Sequence, residues 1–312
     1  MSRTAILIPC YNEECTIAKV ISDFQQDMPW ADIYVYDNNS TDNTAQIAKD
    51  CGAIVRHEYK QGKGNVVRSM FRDIEADCYI MVDGDDTYPS HNAIALERAV
   101  LDGRADMAIG DRLSSTYFEE NNRRFHNVGN MLVRDMINMI YGSKVHDIMT
   151  GLRAFSYDFV KSFPVLSKGF EIETEMTVFA LDNNFKIYEE PIDYRDRPEG
   201  SVSKLNTYKD GIRVITTILS LFKDTKPLLF FSSVAAVVMV LALALFVPVL
   251  IEYFDTGLVP RMPSLMVSVG LMIFSLMSFN SGVTLSVLKR QERQEVERHL
   301  TTIRMMNNMR DR

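Results

Sequence analysis

Thr4-Ala-Ile-Leu-Ile-Pro-Cys-Tyr-Asn-Glu-Glu14 is a short apolar run that stops abruptly in polar residues, and the same figure returns twice downstream. Ile33 to Tyr36 runs into Asp37-Asn-Asn-Ser-Thr-Asp42, and Tyr79 to Val82 runs into Asp83-Gly-Asp-Asp86. Short runs rich in β-branched and aromatic residues, bounded by turn formers, predict strands. Ala53 to Val55, Met107 to Ile109, Arg153 to Phe155 and Lys186 to Tyr188 read the same way. Helical spacing fills the gaps at Thr16 to Asp27, Thr41 to Lys49, Gly64 to Ile74, Asn92 to Leu101, Asn127 to Tyr141 and Glu171 to Leu181. Ser40 and Ser90 are the expected capping residues, and Gly103 sits just past the end of the fourth helix. Strands alternating with helices imply an α/β fold with a mostly parallel, doubly wound (Rossmann-like) sheet.

Ligands of such sheets bind beyond the carboxyl ends of the strands, where the polar runs of this chain fall. Asp83 and Asp85 place two carboxylates two positions apart at a strand end. Two oxygen donors leave coordination positions open for phosphate oxygens and water, the usual arrangement for Mg2+ or Mn2+ in phosphoryl-bearing sites. Asp86 is a third ligand or the cap of the following turn. Asp37 ends its strand where a nucleoside would lie, and a carboxylate there accepts hydrogen bonds from a base N–H or ribose hydroxyls. Gln61-Gly-Lys-Gly64 opens a helix, so its backbone N–H groups and Lys63 predict an anion-attracting corner. The spacing is not that of a P-loop. Asp147-Ile-Met-Thr-Gly-Leu-Arg153 sets an acid, a hydroxyl, a glycine and a guanidinium at the start of a strand. Further on, Arg195, Arg197, Ser203 and Lys204 gather positive charge, with Arg suited to bidentate phosphate contacts and Lys acting as a point charge.

The composition, 46% hydrophobic and 24% charged over 312 residues, is that of a folded protein. Net charge is −7 and unevenly spread: residues 1–200 carry 21 Lys and Arg against 33 Asp and Glu, and residues 201–312 carry 13 against 8. An acidic front half lacks the broad basic face that displaces counterions from a phosphate backbone, which argues against nucleic acid as a partner. Cys10, Cys15, Cys51 and Cys78 show no CxxC spacing, so neither a zinc site nor a disulfide framework is expected, and they read as buried thiols of a reducing compartment. The apolar segment at the N-terminus is too short for a signal peptide, which keeps the front half cytosolic in this reading.

Two long uncharged stretches, Leu228 to Ile251 and Met262 to Leu288, each suffice to cross a hydrocarbon core of ~30 Å. Lys204, Lys209, Arg213, Lys223 and Lys226 precede the first and Lys289, Arg290 and Arg293 follow the second, whereas the connection carries only Arg261 with Glu252 and Asp255. By the positive-inside rule both termini are cytoplasmic. The resulting division is a catalytic domain over 1–202, a juxtamembrane amphipathic helix over 203–226, a transmembrane hairpin over 227–288 and a cytoplasmic helix over 289–312. The juxtamembrane segment sets Ile212, Ile215, Ile218 and Leu219 between basic residues, as in a helix lying among lipid headgroups. In the tail, Val296, Leu300, Ile303 and Met306 recur at helical spacing. Asn280 and Ser281 offer hydrogen bonds between helices or subunits, so a homo-oligomer is compatible with the sequence.

The ordered set Ile-Pro-Cys-Tyr-Asn-Glu-Glu, Asp-x-x-Ser-Thr-Asp, Lys-Gly-x-x, Asp-Gly-Asp and Thr-Gly-x-Arg resembles the family 2 glycosyltransferases of the GT-A fold. It is closest to the polyprenyl-phosphate sugar transferases similar to dolichol-phosphate mannose synthase and to the bacterial members that charge undecaprenyl phosphate. The resemblance implies that Pro9, Tyr11, Glu13 and Asp37 hold the nucleoside of a nucleotide-sugar donor, that Asp83 and Asp85 hold the metal and donor diphosphate, and that Lys63 lies beside them. It also implies that Arg197 and Lys204 approach donor or acceptor phosphate and that Asp147 and Arg153 sit by the transferred sugar. Two departures stand out: the usual Asp-Asp-Gly-Ser-Thr-Asp reads Asp37-Asn38-Asn39, and the Arg-x-x-Gly-x-Ser-Lys run appears as Arg197-Pro-Glu-Gly-Ser-Val-Ser-Lys204, one residue longer. The implied activity is an inverting transfer of a hexose, from UDP-glucose or UDP-N-acetylglucosamine, to a polyprenyl phosphate at the membrane. A processive polysaccharide synthase would carry a Gln-x-x-Arg-Trp motif, yet the one tryptophan is Trp30. A nucleotidyltransferase would not need two spans, and a non-catalytic scaffold would not need an intact Asp-Gly-Asp with Lys63.

Overall fold

The computed structural model describes residues 2–114, 124–169, 171–195, 219–220 and 222–310. Seven strands, β1 (Thr4–Cys10), β2 (Asp32–Asp37), β3 (Ile54–His57), β4 (Cys78–Met81), β5 (Met107–Asp111), β6 (Arg153–Ser156) and β7 (Ile187–Pro191), form one sheet in the order β3-β2-β1-β4-β6-β5-β7. The β1, β2, β3 and β4 pairings are parallel, as is β5 with β7. Only β6 runs antiparallel to its neighbours, with Arg153 opposite both Met81 and Ile109. The reason is connectivity. The chain leaves β5 at the carboxyl edge and, after a helix, re-enters the sheet from that same edge. Helices cover both faces, so β1 and β4 are buried almost throughout, as near-continuous apolar runs should be.

Helices α1 (Ile17–Asp27), α2 (Thr44–Asp50), α3 (Lys63–Asp73), α4 (Asn92–Leu101), α5 (Arg124–Tyr141), α6 (Tyr157–Ser162) and α7 (Ile172–Asp182) link the strands. In α1, Ile17, Val20, Ile21 and Phe24 recur at the helical period and form its buried face. Gly103, at φ 69°, closes α4: Arg104 N–H donates to Ala99 and Gly103 N–H to Val100, a Schellman ending that only a residue tolerant of positive φ accepts. The two expected caps are corrected. Ser40 hydrogen-bonds Asn12 N and leaves the N-cap of α2 to Asn43, and the Ser90 hydroxyl donates to Asp27 while His91 precedes α4. Helix α6 has no counterpart in the expectations because six residues are too few to show a period; Ser156 caps it by accepting from Phe159 N. The cysteine reading also needs correction. All four are free, but Cys15 is exposed and Cys51 half-buried, and only Cys10 and Cys78 lie in the core.

The chain divides into two compact units, residues 1–211 with 296–312, and residues 212–295. Within the first, Leu300 and Ile303 are buried and Arg304 Nε donates to Asp158 at 2.7 Å, so the C-terminal residues are part of the α/β body. Within the second, α8 (Pro227–Thr256) and α9 (Met262–Arg310, whose final turns belong to the first unit) are each long and apolar enough to cross a membrane. They pack through small residues: the Ser275 hydroxyl donates to Ala235 O at 2.7 Å, and a Cβ on Gly282 would come within 2.9 Å of Phe231 Cβ. The Ser281 hydroxyl returns to Met277 O of its own helix, and Asn280 is exposed. Most of the expected juxtamembrane helix lies outside the described residues.

Candidate active site

The loops that follow β1, β2, β4, β5 and β7 and the one that precedes β6 converge on one sheet edge. The first two are stitched together. Asn12, at φ 55°, donates its N–H to Ser40 Oγ and accepts at Oδ1 from Thr41 N, while Glu14 Oε2 accepts from Asn43 N. Pro9, Tyr11 and Glu13 lie half-buried along this seam. Asp37, at the end of β2, is 4% exposed. Its Oδ2 accepts from Ser40 N and stands 3.3 Å from His57 Nδ1, but its buried Oδ1 has no hydrogen-bond partner among the described residues. A carboxylate oxygen removed from water and left unmatched is costly, and such orphans mark ligand positions or strain. Asn38, the departure from the family motif, crosses to the next loop: Nδ2 donates to Glu58 and Lys60 carbonyls, and Oδ1 accepts Gly62 N at 2.7 Å.

Asp83 and Asp85 follow β4 on one tight turn. Thr16 Oγ1 donates to Gly84 O at 2.7 Å, and a Cβ at Gly84 would meet Cys10 Sγ at 2.9 Å, so the turn is seated directly on the end of β1. Asp85 Oδ1 accepts from Thr87 Oγ1 at 2.6 Å and from Thr87 N, which fixes its rotamer. Asp86, at φ 58°, pairs with Lys19 at 2.7 Å. Asp83 remains partly open. Its Oδ1 accepts from Lys63 Nζ at 2.6 Å, and its Oδ2 lies where a Cβ on Gly151 would come within 2.2 Å. The Asp83 carboxylate thus packs against the backbone of Gly151, where any side chain would displace it, and Gly151 N donates to Tyr88 OH.

Lys63 does not stand in an anion corner made by the start of α3. Gly62 N is taken by Asn38 and Gly64 N by Lys168 O, because Cβ-less residues there let the backbone of 167–168 approach to distances no side chain permits. Instead Lys63 Nζ bridges two carboxylates, Asp83 and, at 2.7 Å, Glu173 Oε1. Burial by itself lowers the pKa of this ammonium, and the fields of Asp83 and Glu173 more than reverse that, leaving it raised and charged.

Asp147 and Arg153 are placed beneath the loop before β6. Asp147, 2% exposed, is gripped by Arg112 through Nε at 2.7 Å and Nη2 at 3.1 Å. The Arg112 guanidinium also donates to Met149 O and lies 5.5 Å from the Tyr194 ring. Arg153 is fully buried, and desolvation holds its pKa down against the fields of Glu173 and Asp147. It donates to Ile148 and Thr150 carbonyls and to Thr177 Oγ1, shaping the loop that carries Gly151. Nearby, Asp111, His146 and Glu189 bring ligand-type atoms within 4.8 Å of one another. The His146 ring lies between the carboxylates, 3.6 and 3.4 Å from them.

Asp37, Lys63, Asp83 and Asp85 thus lie on one edge, and Arg197, Ser203 and Lys204 lie outside the described residues. Sequence reasoning passed over Arg112, Glu173 and Tyr88, and noted Asn38 only as a departure from the motif. Arg112 follows a strand end and had a local signal; Glu173 sits in the first turn of a helix, where an acid is ordinary, and nothing local ties it to Lys63.

The family model Glycosyl transferase family 2 matches residues 5–163. Among curated relatives, Glycosyltransferase AglJ of Haloferax volcanii is 37% identical over 78% of this chain and 80% of its own length. The Dolichyl-phosphate hexose transferase of the same organism is 27% identical over 69% and 92%. Among solved structures, glucosyl-3-phosphoglycerate synthase from Mycobacterium tuberculosis, in complex with Mn2+, UDP and its product, superposes with a TM-score of 0.54 at 19% identity, covering 71% of this chain and 79% of that one. At that identity the likeness speaks for the GT-A fold alone.

Proposed function

The chain belongs to glycosyl transferase family 2 and is a glycosyltransferase, and from that premise we propose that it moves a hexose from a nucleotide-sugar to a polyprenyl phosphate, with inversion. The observation that carries the donor half is the orphaned Asp37 Oδ1: a base N–H or ribose hydroxyl would supply the hydrogen bond that the protein withholds. Pro9, Tyr11 and Glu13 would form the wall of that nucleoside site.

The residues after β4 fit a hard divalent cation. Asp83 is partly open, at 29% side-chain exposure, and Asp85 is held in one rotamer. A bound Mg2+ or Mn2+ would neutralise the departing nucleoside diphosphate. Lys63 adds a positive charge on the same side. Arg112, held in orientation by Asp147, and Arg197 with Lys204 are the proposed phosphate-facing cations, and Arg153 acts through the loop it shapes. The acceptor phosphate, whose second pKa is about 6, is largely dianionic at neutral pH, so attack at the anomeric carbon needs no strong base.

The lipid acceptor is supported by the two helices long enough to span a membrane and by the name of the dolichyl-phosphate relative. Basic residues flanking both helices support a cytoplasmic catalytic domain and termini, with the hairpin over 227–288 as anchor. UDP-glucose and UDP-N-acetylglucosamine are the donors to test first. Full-length protein in detergent, given undecaprenyl phosphate and a panel of nucleotide-sugars, should yield one lipid-linked hexose by mass. Asp83→Asn and Asp85→Asn should abolish that product while leaving the fold intact; near-normal turnover in both would remove the cation from the mechanism. Transfer to soluble acceptors alone would remove the lipid.

A further inference from the structure

Lys63 is the first residue of α3 and Glu173 the second of α7, and both side chains are almost fully covered, at 7% and 10% exposure, against 29% for Asp83. The ammonium sits 2.6 Å from the Asp83 carboxylate and 2.7 Å from that of Glu173. A buried triad of this kind contributes little to stability, because desolvation of the charges offsets their attraction. Its position on Asp83 points instead to the ligand that Asp83 receives. A divalent cation bound at Asp83 repels an ammonium held 2.6 Å from the same carboxylate. Glu173 is a second anion already in contact with the ammonium, toward which it can withdraw from Asp83.

We infer that Lys63 and Glu173 form an internal counter-ion switch on Asp83, in which Lys63 neutralises Asp83 while the site is free and Glu173 retains Lys63 when a divalent cation claims Asp83. Glu173 is accordingly a positioning residue that sets the affinity of the site for the cation, and this rests on the reading of Asp83 and Asp85 as its ligands. The two partners have opposite signs. Without Glu173 the ammonium stays on Asp83 and the site loses a negative charge, so the cation binds less well. Without Lys63 the competitor is gone, and the cation binds better.

The test is Mn2+ binding to the full-length protein in detergent without donor or acceptor, read from the electron paramagnetic resonance signal of free Mn2+. Glu173→Gln should weaken binding about tenfold and Lys63→Met should strengthen it by a similar factor, one charge at close range being worth roughly a factor of ten. The double variant should fall between them, and Glu173→Asp should shift less than Glu173→Gln in the same direction, which serves if the latter folds poorly. Shifts of the same sign, or none, in a protein whose Mn2+ binding is lost in Asp83→Asn would overturn the switch and leave the cation site standing. Absence of Mn2+ binding in the unaltered protein would sink both.

Discussion

Asp37 and Asp147 are both buried acids at the same sheet edge, and their surroundings give them opposite work. Asp147 is saturated by the Arg112 fork and by Met149 N, whereas Asp37 keeps an oxygen without a partner. Asp37→Asn should therefore weaken binding of a nucleoside diphosphate by about tenfold or more by calorimetry, since a hydrogen bond to a charged group is worth roughly 1.5–3 kcal/mol. Its thermal midpoint should not fall, because the amide nitrogen can take the place of the unmatched Oδ1 while the remaining oxygen still accepts from Ser40 N; unchanged nucleotide affinity would take Asp37 out of the site. Asp147→Ala should act on folding instead. Stranding a buried Arg112 costs about 3–5 kcal/mol, measurable by denaturant titration. Asp37 was legible because it ends a strand. The Arg112–Asp147 grip was not, because it joins residues 35 apart whose geometry is fixed by β5 and the loop before β6.

At the scale of elements, the seven strands and six of the helices could be read from apolar runs and the helical period, since buried strands and amphipathic helices each impose a pattern on neighbouring residues. The direction of β6 could not, because it depends on which edge the chain re-enters. The C-terminal residues make the same point. The spacing of Leu300 and Ile303 predicts an apolar stripe, and only the structure places that stripe against the α/β unit, with Arg304 paired to Asp158. Ile303→Ala should cost about 2–5 kcal/mol, as for other buried aliphatic truncations. Limited trypsin digestion should then cut faster after Arg298 and Arg304; unchanged cleavage would show that the stripe is not held.

For the whole molecule, the Lys63 bridge between Asp83 and Glu173 bears on how the fold depends on a cation. Lys63 is paired with Asp83 in this structure, so chelation with EDTA should abolish transfer while leaving circular dichroism unchanged and lowering the thermal midpoint only by the mass-action stabilisation that a bound cation gives. A marked drop in midpoint would mean that the cation holds the fold itself. The sequence by itself determined the order of strands and helices, the two apolar helices and the carboxylates Asp37, Asp83 and Asp85 at strand ends, because each is a local pattern of a few neighbouring residues. Only the tertiary structure decided that Lys63 reaches Glu173 across 110 positions, that Arg112 closes on Asp147 and that one buried oxygen of Asp37 has no hydrogen-bond partner among the described residues. Burial and charge pairing are properties of the space between elements, and the sequence of any one element does not contain them.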